Sequence, residues 1–518
     1  MALVSVLHGG RSAIAGPGIG SKSTHLAGSR RHRCALASSS SSLSSPPAPP
    51  FSPTAAAKLV AVIGENAVSP LQETPWLEVM NHMVKRLRWT DASFEMLVFT
   101  DESLPENREF SSAVAKADIL LGLGLGNPDT VSWINSASSS VPTRICFDST
   151  DNSGTWLGGV KVLPLESPVD RLRSIVPGTK LAKGLKVLDL VTNAWSRHSS
   201  DNVCFALLVL IDSYVAPVPL LKNLRATSLS QIQCMAKNCG KEILACLLDP
   251  SCRKALDCLT SCAPNDQVCS YRCIVSYETP TLEAISLCIL QKNNCLGLSA
   301  EIQSQPVVKP LEKFRGQELT HTLAEDIFIG WLGTLKWSWR VAAGQNAAYD
   351  HFANQIQLYY RGTKNSMWYD PVFQVETLEG ELVWRRRHYR ARRGEVPGTF
   401  YFTVLDNGVV SKEFWRIVDC ADDLSWGLFY YSGAATAAGQ SYSGAVLVSP
   451  DGMWPGEQHS ERVNAALGRC GIKLWEMYTV TNNRYGDEDD ESGEEIPLGL
   501  PEGSKLHHHS SIVSSSRG

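Results

Sequence analysis

Ten of the fifteen cysteines of this chain crowd into one stretch, at Cys234, Cys239, Cys246, Cys252, Cys258, Cys262, Cys269, Cys273, Cys288 and Cys295, while the other five are scattered singly. Zinc fingers and ribbons need C-x-x-C or H-x-x-x-H knuckles, and this stretch has neither and contains no histidine. It reads as a disulfide-stapled module, with no metal. Whatever else the chain folds into must be built around it.

Spacing suggests how the cysteines pair. Cys258 and Cys262 share one helical face, as do Cys269 and Cys273, and Ala263-Pro264-Asn265-Asp266 is a turn that folds the second helix onto the first. That predicts Cys258 with Cys273 and Cys262 with Cys269. Cys288 and Cys295 would be about 10 Å apart along an unbroken helix, so a reversal at Asn293-Asn294 is needed for them to meet. A break near Gly240 likewise lets Cys239 meet Cys246, leaving Cys234 for Cys252.

The run C-x4-C-x6-C-x5-C-x5-C-x3-C, followed by C-x3-C-x14-C-x6-C, resembles the cysteine-rich domain of the violaxanthin de-epoxidase family. A further cysteine of the family pattern stands here as Ile232. The resemblance implies two more parts: a lipocalin-type barrel and an acidic C-terminal region.

The chain has 518 residues, room for two or three domains, and its 43% hydrophobic and 19% charged residues are those of a globular protein. A net charge of -4 gives no overall attraction to nucleic acid. The most apolar stretch, Val203 to Leu221, is interrupted by Asp212, Pro217 and Pro219 and reads as a buried helix or strand rather than a bilayer span.

The expected organisation is multi-domain α+β. Residues 1–57 carry no acid, abundant serine and scattered arginine, the composition of a chloroplast transit peptide. Residues 58–225 alternate strand and helix patterns: strands at Leu59 to Ile63, Phe94 to Phe99, Ile119 to Leu121 and Arg144 to Phe147, and a helix with Trp76, Val79, Met80, Met83 and Leu87 on one side. This rhythm predicts a small α/β domain with a mostly parallel sheet, of no assignable role. Gly122-Leu123-Gly124-Leu125-Gly126 lacks nucleotide-loop spacing and is read as a tight loop followed by Asn127-Pro128 rather than a helix.

Residues 226–300 form the cysteine module and 301–323 a linker. Residues 324–482 read as eight strands, beginning with Phe328 to Val341, then Asn354 to Tyr360, Pro371 to Glu376, Leu382 to Tyr389, Gly398 to Leu405, Glu413 to Asp419, Trp426 to Ser432 and Ser443 to Val448. Eight strands close a lipocalin-like barrel with room for one ligand, against which Ser460 to Leu467 packs as a helix. Residues 483–518, with Asp487-Glu488-Asp489-Asp490-Glu491, form an acidic disordered tail.

The resemblance also implies chemistry: reduction of an epoxy-xanthophyll with ascorbate as co-substrate, needing no metal or nucleotide, in the chloroplast, either in the thylakoid lumen or in peripheral association with the thylakoid membrane. The family's Phe-Asp-Ala-Phe-Asp-Cys-Gln stands here as Tyr349-Asp350-His351-Phe352-Ala353-Asn354-Gln355, keeping Asp350 and Gln355. The family's Tyr-Gln-Asp-Asp-Trp becomes Ser411-Lys412-Glu413-Phe414-Trp415, so Glu413 takes the catalytic carboxyl and Trp415 is kept. Glu413 and Asp350 are thus the candidate catalytic residues, and Gln355, Trp415, Tyr430 and Tyr431 the candidate substrate-binding ones. The family's active-site tyrosine falls on Val448, and two family histidines on Gln357 and Tyr360. Residues 385–393 hold seven basic side chains in nine, read as a solvated barrel edge, with an anion site for ascorbate or lipid phosphate as the sharper alternative. A second reading is a non-catalytic carrier of a carotenoid or another elongated apolar ligand.

Overall fold

The computed structural model describes residues 56–482, apart from 103, 150–154, 163–177, 225–228, 330–338, 347–351 and 362–366. The expected transit peptide up to residue 55, the expected acidic tail from residue 483 and Asp350 lie outside the described residues.

The N-terminal region is an α/β layer structure. Strands β1 (Lys58–Ile63), β2 (Glu95–Thr100), β3 (Ile119–Leu123) and β4 (Thr143–Phe147) are parallel in the order β2-β1-β3-β4, and the short β5 (Thr155–Leu157) and β6 (Val160–Val162) extend the sheet antiparallel. β1 and β3 are buried on both faces, which explains their unbroken apolar runs. Helix α1 (Trp76–Thr90) buries Trp76, Val79, Met80, Met83 and Leu87 at 0–1% exposure, each side chain contributing about 1.5–3 kcal/mol of burial. α2 (Arg108–Val114) and α3 (Pro128–Ala137) follow. The start of α3 corrects the sequence reading: Asn127 caps it by accepting from the Asp129 and Thr130 N–H groups, and Pro128 takes the first-turn position where a missing N–H costs nothing. α4 (Lys180–Trp195) and α5 (Ser200–Tyr214) complete the layer, and α5 is the buried helix expected from Val203 onward. No helix among the described residues is long and apolar enough to cross a membrane.

The cysteine module is four helices, α6 (Leu229–Leu248), α7 (Pro250–Ser261), α8 (Gln267–Ser276) and α9 (Pro280–Ser286), the last continuing as a π-turn to Lys292. All ten cysteines are paired: Cys234–Cys295, Cys239–Cys288, Cys246–Cys252, Cys258–Cys273 and Cys262–Cys269. The nested α7–α8 pairs are as the turn predicted. The other three expected pairs, Cys239–Cys246, Cys234–Cys252 and Cys288–Cys295, are not formed. At Cys239 α6 kinks, with φ -126° and ψ 21°, instead of reversing. The α9 segment packs along it, so Cys288 and Cys295 meet α6 across the interface, while Cys246 and Cys252 close the tight α6–α7 turn.

The C-terminal part is a closed antiparallel barrel of eight strands: β7 (Trp339–Gly344), β8 (Ala353–Arg361), β9 (Met367–Glu376), β11 (Tyr389–Arg393), β12 (Thr399–Asp406), β13 (Val409–Cys420), β14 (Gly427–Ala435) and β15 (Gln440–Ser449). β15 pairs with β7, and β7 pairs with β8 through Trp339–Gln357 and Arg340–Ile356, which closes the ring. The expected strand Leu382 to Tyr389 is split: β10 (Leu382–Arg386) pairs with one end of β9 and β11 with the other. The expected strand from Phe328 is also corrected. His321–Ile329 is a helix, α10, whose Phe328 plugs one end of the barrel against Phe400 and Phe429, at ring centroid distances of 4.4 and 4.9 Å. α11 (Ser460–Arg469) buries Val463, Ala466 and Leu467 on the barrel's outer wall, and Tyr478–Thr479 adds a short pairing to β7.

Both other regions dock on the barrel. α8 covers its open end: the Tyr271 ring lies 5.2 Å from Phe352, and Arg272 donates to the Glu376 and Thr377 carbonyls at 2.8 and 3.0 Å. The α/β layer grips the segment after α11, where His82 Nε2 lies 2.9 Å from Glu476 Oε2, both side chains at most 2% exposed, and Gln72 donates to the Met477 carbonyl.

Candidate active site at the open end of the barrel

Alternation along β13 turns Glu413, Trp415 and Ile417 into the barrel and Phe414, Arg416 and Val418 outward. Glu413 is 6% exposed. Its carboxylate accepts from Trp415 Nε1 at 2.7 Å, from the Tyr442 hydroxyl at 2.8 Å and from the Tyr389 hydroxyl at 3.5 Å. Room for the carboxylate comes from Gly433, which pairs with both Glu413 and Tyr442. A Cβ there would stand 2.5 Å from the Tyr442 ring and 2.9 Å from Glu413 Cγ.

Burial drives the Glu413 pKa above the ordinary glutamate value, outweighing the Trp415 and Tyr442 donors and the charge of Arg387, which pull it down. Tyr389 and Tyr442 are pushed far above the usual phenol range, by burial first and by Glu413 second, so both remain neutral donors. Arg387 stands at the rim. Its Nε is 3.0 Å from Asp406 Oδ2, its guanidinium lies 4.4 Å over the Tyr271 ring of α8, and it hydrogen-bonds Tyr389. A proton-holding carboxyl among neutral donors, with one cation at the entrance, is equipped to protonate an oxygen of a bound apolar molecule.

Of the residues singled out from sequence, Glu413, Trp415 and Tyr431 come together. The Tyr431 ring stacks on Trp415 at 5.1 Å, and its hydroxyl occupies the space left by Gly444. Gln355 lies apart, at an irregularity of β8, where it is 3% exposed and donates to the Phe352 carbonyl at 2.9 Å. It lines the same cleft. Tyr430 faces the other way, packed on the barrel's outer wall with Val463 and Leu467 of α11 because it alternates with the inward Tyr431, and it lines the cleft from there rather than from inside the barrel. Gln357 accepts from the Tyr369 and Tyr359 hydroxyls inside the barrel. Tyr360 donates to Asp370 outside it at 3.1 Å.

The basic run is not a simple solvated edge. Arg386 and His388 clamp the fully buried Asp370, Arg393 pairs with Glu325 of α10, and Arg387 lines the cleft; Arg390 and Arg392 are exposed. Sequence reasoning missed Tyr442. The strand was begun at Ser443, whereas β15 starts at Gln440. Counting back in twos from the inward Val448 and Val446 places Tyr442 inside.

The cleft has a volume of about 1520 Å³ and runs from Glu413 and Tyr442 past Tyr271 and Leu290 of the module to Leu220 and Phe205 of the α/β layer.

Residues 231–483 match the family model of the VDE lipocalin domain. The chain is similar to violaxanthin de-epoxidase, chloroplastic, of Nicotiana tabacum, 21% identical over 62% of this chain and 64% of the relative. It is also similar to the proteins of the same name from Arabidopsis thaliana (21%, 50% of this chain and 54% of the relative) and Spinacia oleracea (22%, 50% and 53%). It thus spans between half and two thirds of the length of these relatives. The structure of a siderocalin, Ex-FABP, aligns with 28% of this chain at 7% identity and a TM-score of 0.22.

Proposed function

We propose that this chain, which belongs to the violaxanthin de-epoxidase family through residues 231–483, is a chloroplast oxidoreductase that reduces an epoxy-xanthophyll with ascorbate. The observation that carries the reading is Glu413, a buried carboxyl that holds its proton above the usual pH and faces a cleft able to take an elongated apolar molecule.

In the reaction Glu413 gives its proton to the epoxide oxygen as a C–O bond opens. Ascorbate, as its monoanion, supplies two electrons and one proton, and the solvent supplies a second proton; one of these two protons restores Glu413 and the other completes the departing water. The oxygen leaves as water, the two carbons become doubly bonded, and ascorbate leaves as dehydroascorbate. Trp415 and Tyr442 fix the carboxyl by hydrogen bonds, and Tyr431 lies against Trp415 as part of the same wall. Arg387 at the rim offers positive charge to the anionic reductant. Asp350 and Gln355 are assigned to positioning the polar end of the pigment. So apolar a substrate is delivered from a lipid phase, which makes peripheral association with the thylakoid membrane part of the same reading.

The oxidised, folded protein supplied with violaxanthin, ascorbate and lipid at acidic to neutral pH is expected to form antheraxanthin or zeaxanthin, followed by chromatography. Absence of product across that range, with an active relative alongside as control, overturns the catalytic reading. A carrier role is favoured by one observation: Val448, where the family's tyrosine would stand, is wholly apolar core. Pigment binding without conversion, indifferent to Glu413→Gln, is the result that selects it.

A further inference from the structure

The barrel accounts for one end of a long ligand, and the cleft is larger than that end needs. Ligand pockets of ordinary enzymes run to about 300–1,000 Å³, whereas this one is about 1520 Å³ and leaves the barrel altogether. Its far portion is walled on one side by Leu290 and Leu298 of the cysteine module. On the other stands the turn of Pro219–Leu224, which follows α5. There Leu220 and Leu224 line the cleft while leaving 41% and 36% of their surface exposed, although most apolar side chains of α5 itself are buried. Asp201, at the start of α5, also lines the cleft, its side chain 40% exposed and one carboxylate oxygen paired with Arg86, which leaves the other oxygen to accept a further hydrogen bond. The wall is fixed in place: Asn223 donates to the Gly439 and Ser299 carbonyls at 2.8 and 3.1 Å, tying the turn to both the barrel and the end of the cysteine module.

We propose that the N-terminal α/β layer completes the binding site, receiving the distal end of an elongated apolar molecule that carries a hydroxyl at each end while the proximal end lies at Glu413. The inference rests on the proposed function and adds a role for residues 58–224. Leu220 and Leu224 cover the distal part of the chain, and the Asp201 carboxylate accepts from the distal hydroxyl.

The test uses the full chain and two ligands: a full-length dihydroxylated carotenoid and a half-length apocarotenoid with one hydroxylated ring. Binding is followed by quenching of tryptophan fluorescence. The double variant Leu220→Asp/Leu224→Asp changes two partly exposed side chains, so folding, checked by circular dichroism, is retained. It is expected to bind the full-length ligand at least tenfold more weakly and the half-length ligand as the unaltered protein does. Equal weakening of both ligands, or no weakening of either, overturns the distal site and leaves the barrel reading standing. Failure of the unaltered protein to bind either ligand overturns both.

Discussion

Glu413 and Glu476 are buried to nearly the same degree, 6% and 3% exposed, yet their pKa values move in opposite directions. Burial pushes both up. Around Glu476, in the interface between the α/β layer and the barrel, the His82 imidazole and the Arg86 guanidinium outweigh burial and hold the carboxyl below its ordinary value. Around Glu413 the direct donors are neutral, an indole and two phenols, and burial prevails. Burial alone therefore does not make an acid catalyst. A cationic shell turns a buried carboxyl into a permanent anion that welds two regions, whereas a neutral shell leaves it a proton to give.

The largest expected effect separates the two. Glu413→Gln keeps the shape and an acceptor for Tyr442 but removes the proton, and de-epoxidation is expected to fall by about 10²–10⁴-fold with the thermal midpoint at neutral pH no lower. Activity within threefold of the unaltered protein breaks the comparison at its catalytic side. Glu476→Gln does the reverse. It leaves His82 facing a neutral amide in a dry interface and Arg86 with Asp201 as its remaining carboxylate, and the loss of hydrogen bonds to a charged group costs about 1.5–3 kcal/mol, to be read as a lower denaturant midpoint. The pH at which Glu413 titrates is expected to stay where it is.

The pH profile of stability carries the same contrast. Glu476, with its folded pKa depressed, stabilises above its unfolded value of about 4.3 and loses that contribution as pH falls through its folded pKa. Glu413, with its folded pKa raised, binds more protons folded than unfolded just above that value. Stability is therefore lost as pH rises from there through its raised pKa and is level beyond it. In Glu413→Gln the fall on the alkaline side should flatten; in Glu476→Gln the fall on the acid side should.

How much of this was legible in the sequence depended on distance along the chain. The α7–α8 disulfides followed from a four-residue turn, whereas Glu413 and Trp415 were singled out by the family resemblance, and only the structure sets them on one face of β13. The α6–α9 disulfides did not follow, because two helices packing side by side is a tertiary choice that cysteine spacing does not encode. Glu476 carried no sequence signal at all: its partner Arg86 lies 390 residues away. Tyr430 and Tyr431 were indistinguishable as adjacent aromatics until the strand's facing was fixed, and the helix at Phe328 was hidden because a short apolar run is compatible with either helix or strand.

A smaller effect tests whether the room around Glu413 matters as much as its donors. Gly433→Ala puts a methyl group into the Tyr442 ring and against Glu413 Cγ. Overpacking of this kind costs about 1–3 kcal/mol, and the strain is relieved by moving Tyr442 off the carboxylate. Stability and the alkaline limb of the activity profile should therefore shift together. A variant with unchanged stability and profile shows that the chamber yields without disturbing the acid.

The finest test changes one atom of the neutral shell. The Tyr442 hydroxyl donates to Glu413 and favours its charged form, so Tyr442→Phe removes a bond to an ionised group, worth about 1.5–3 kcal/mol. The charged form is the one destabilised, so the Glu413 pKa rises further. If protonated Glu413 is the active species, the alkaline limb of de-epoxidation moves to higher pH even as the maximal rate drops through looser positioning. A limb that moves to lower pH, or stays fixed while the rate falls, would mean that the neutral shell does not set the proton's affinity. The contrast with the cation-held Glu476 would then need another cause.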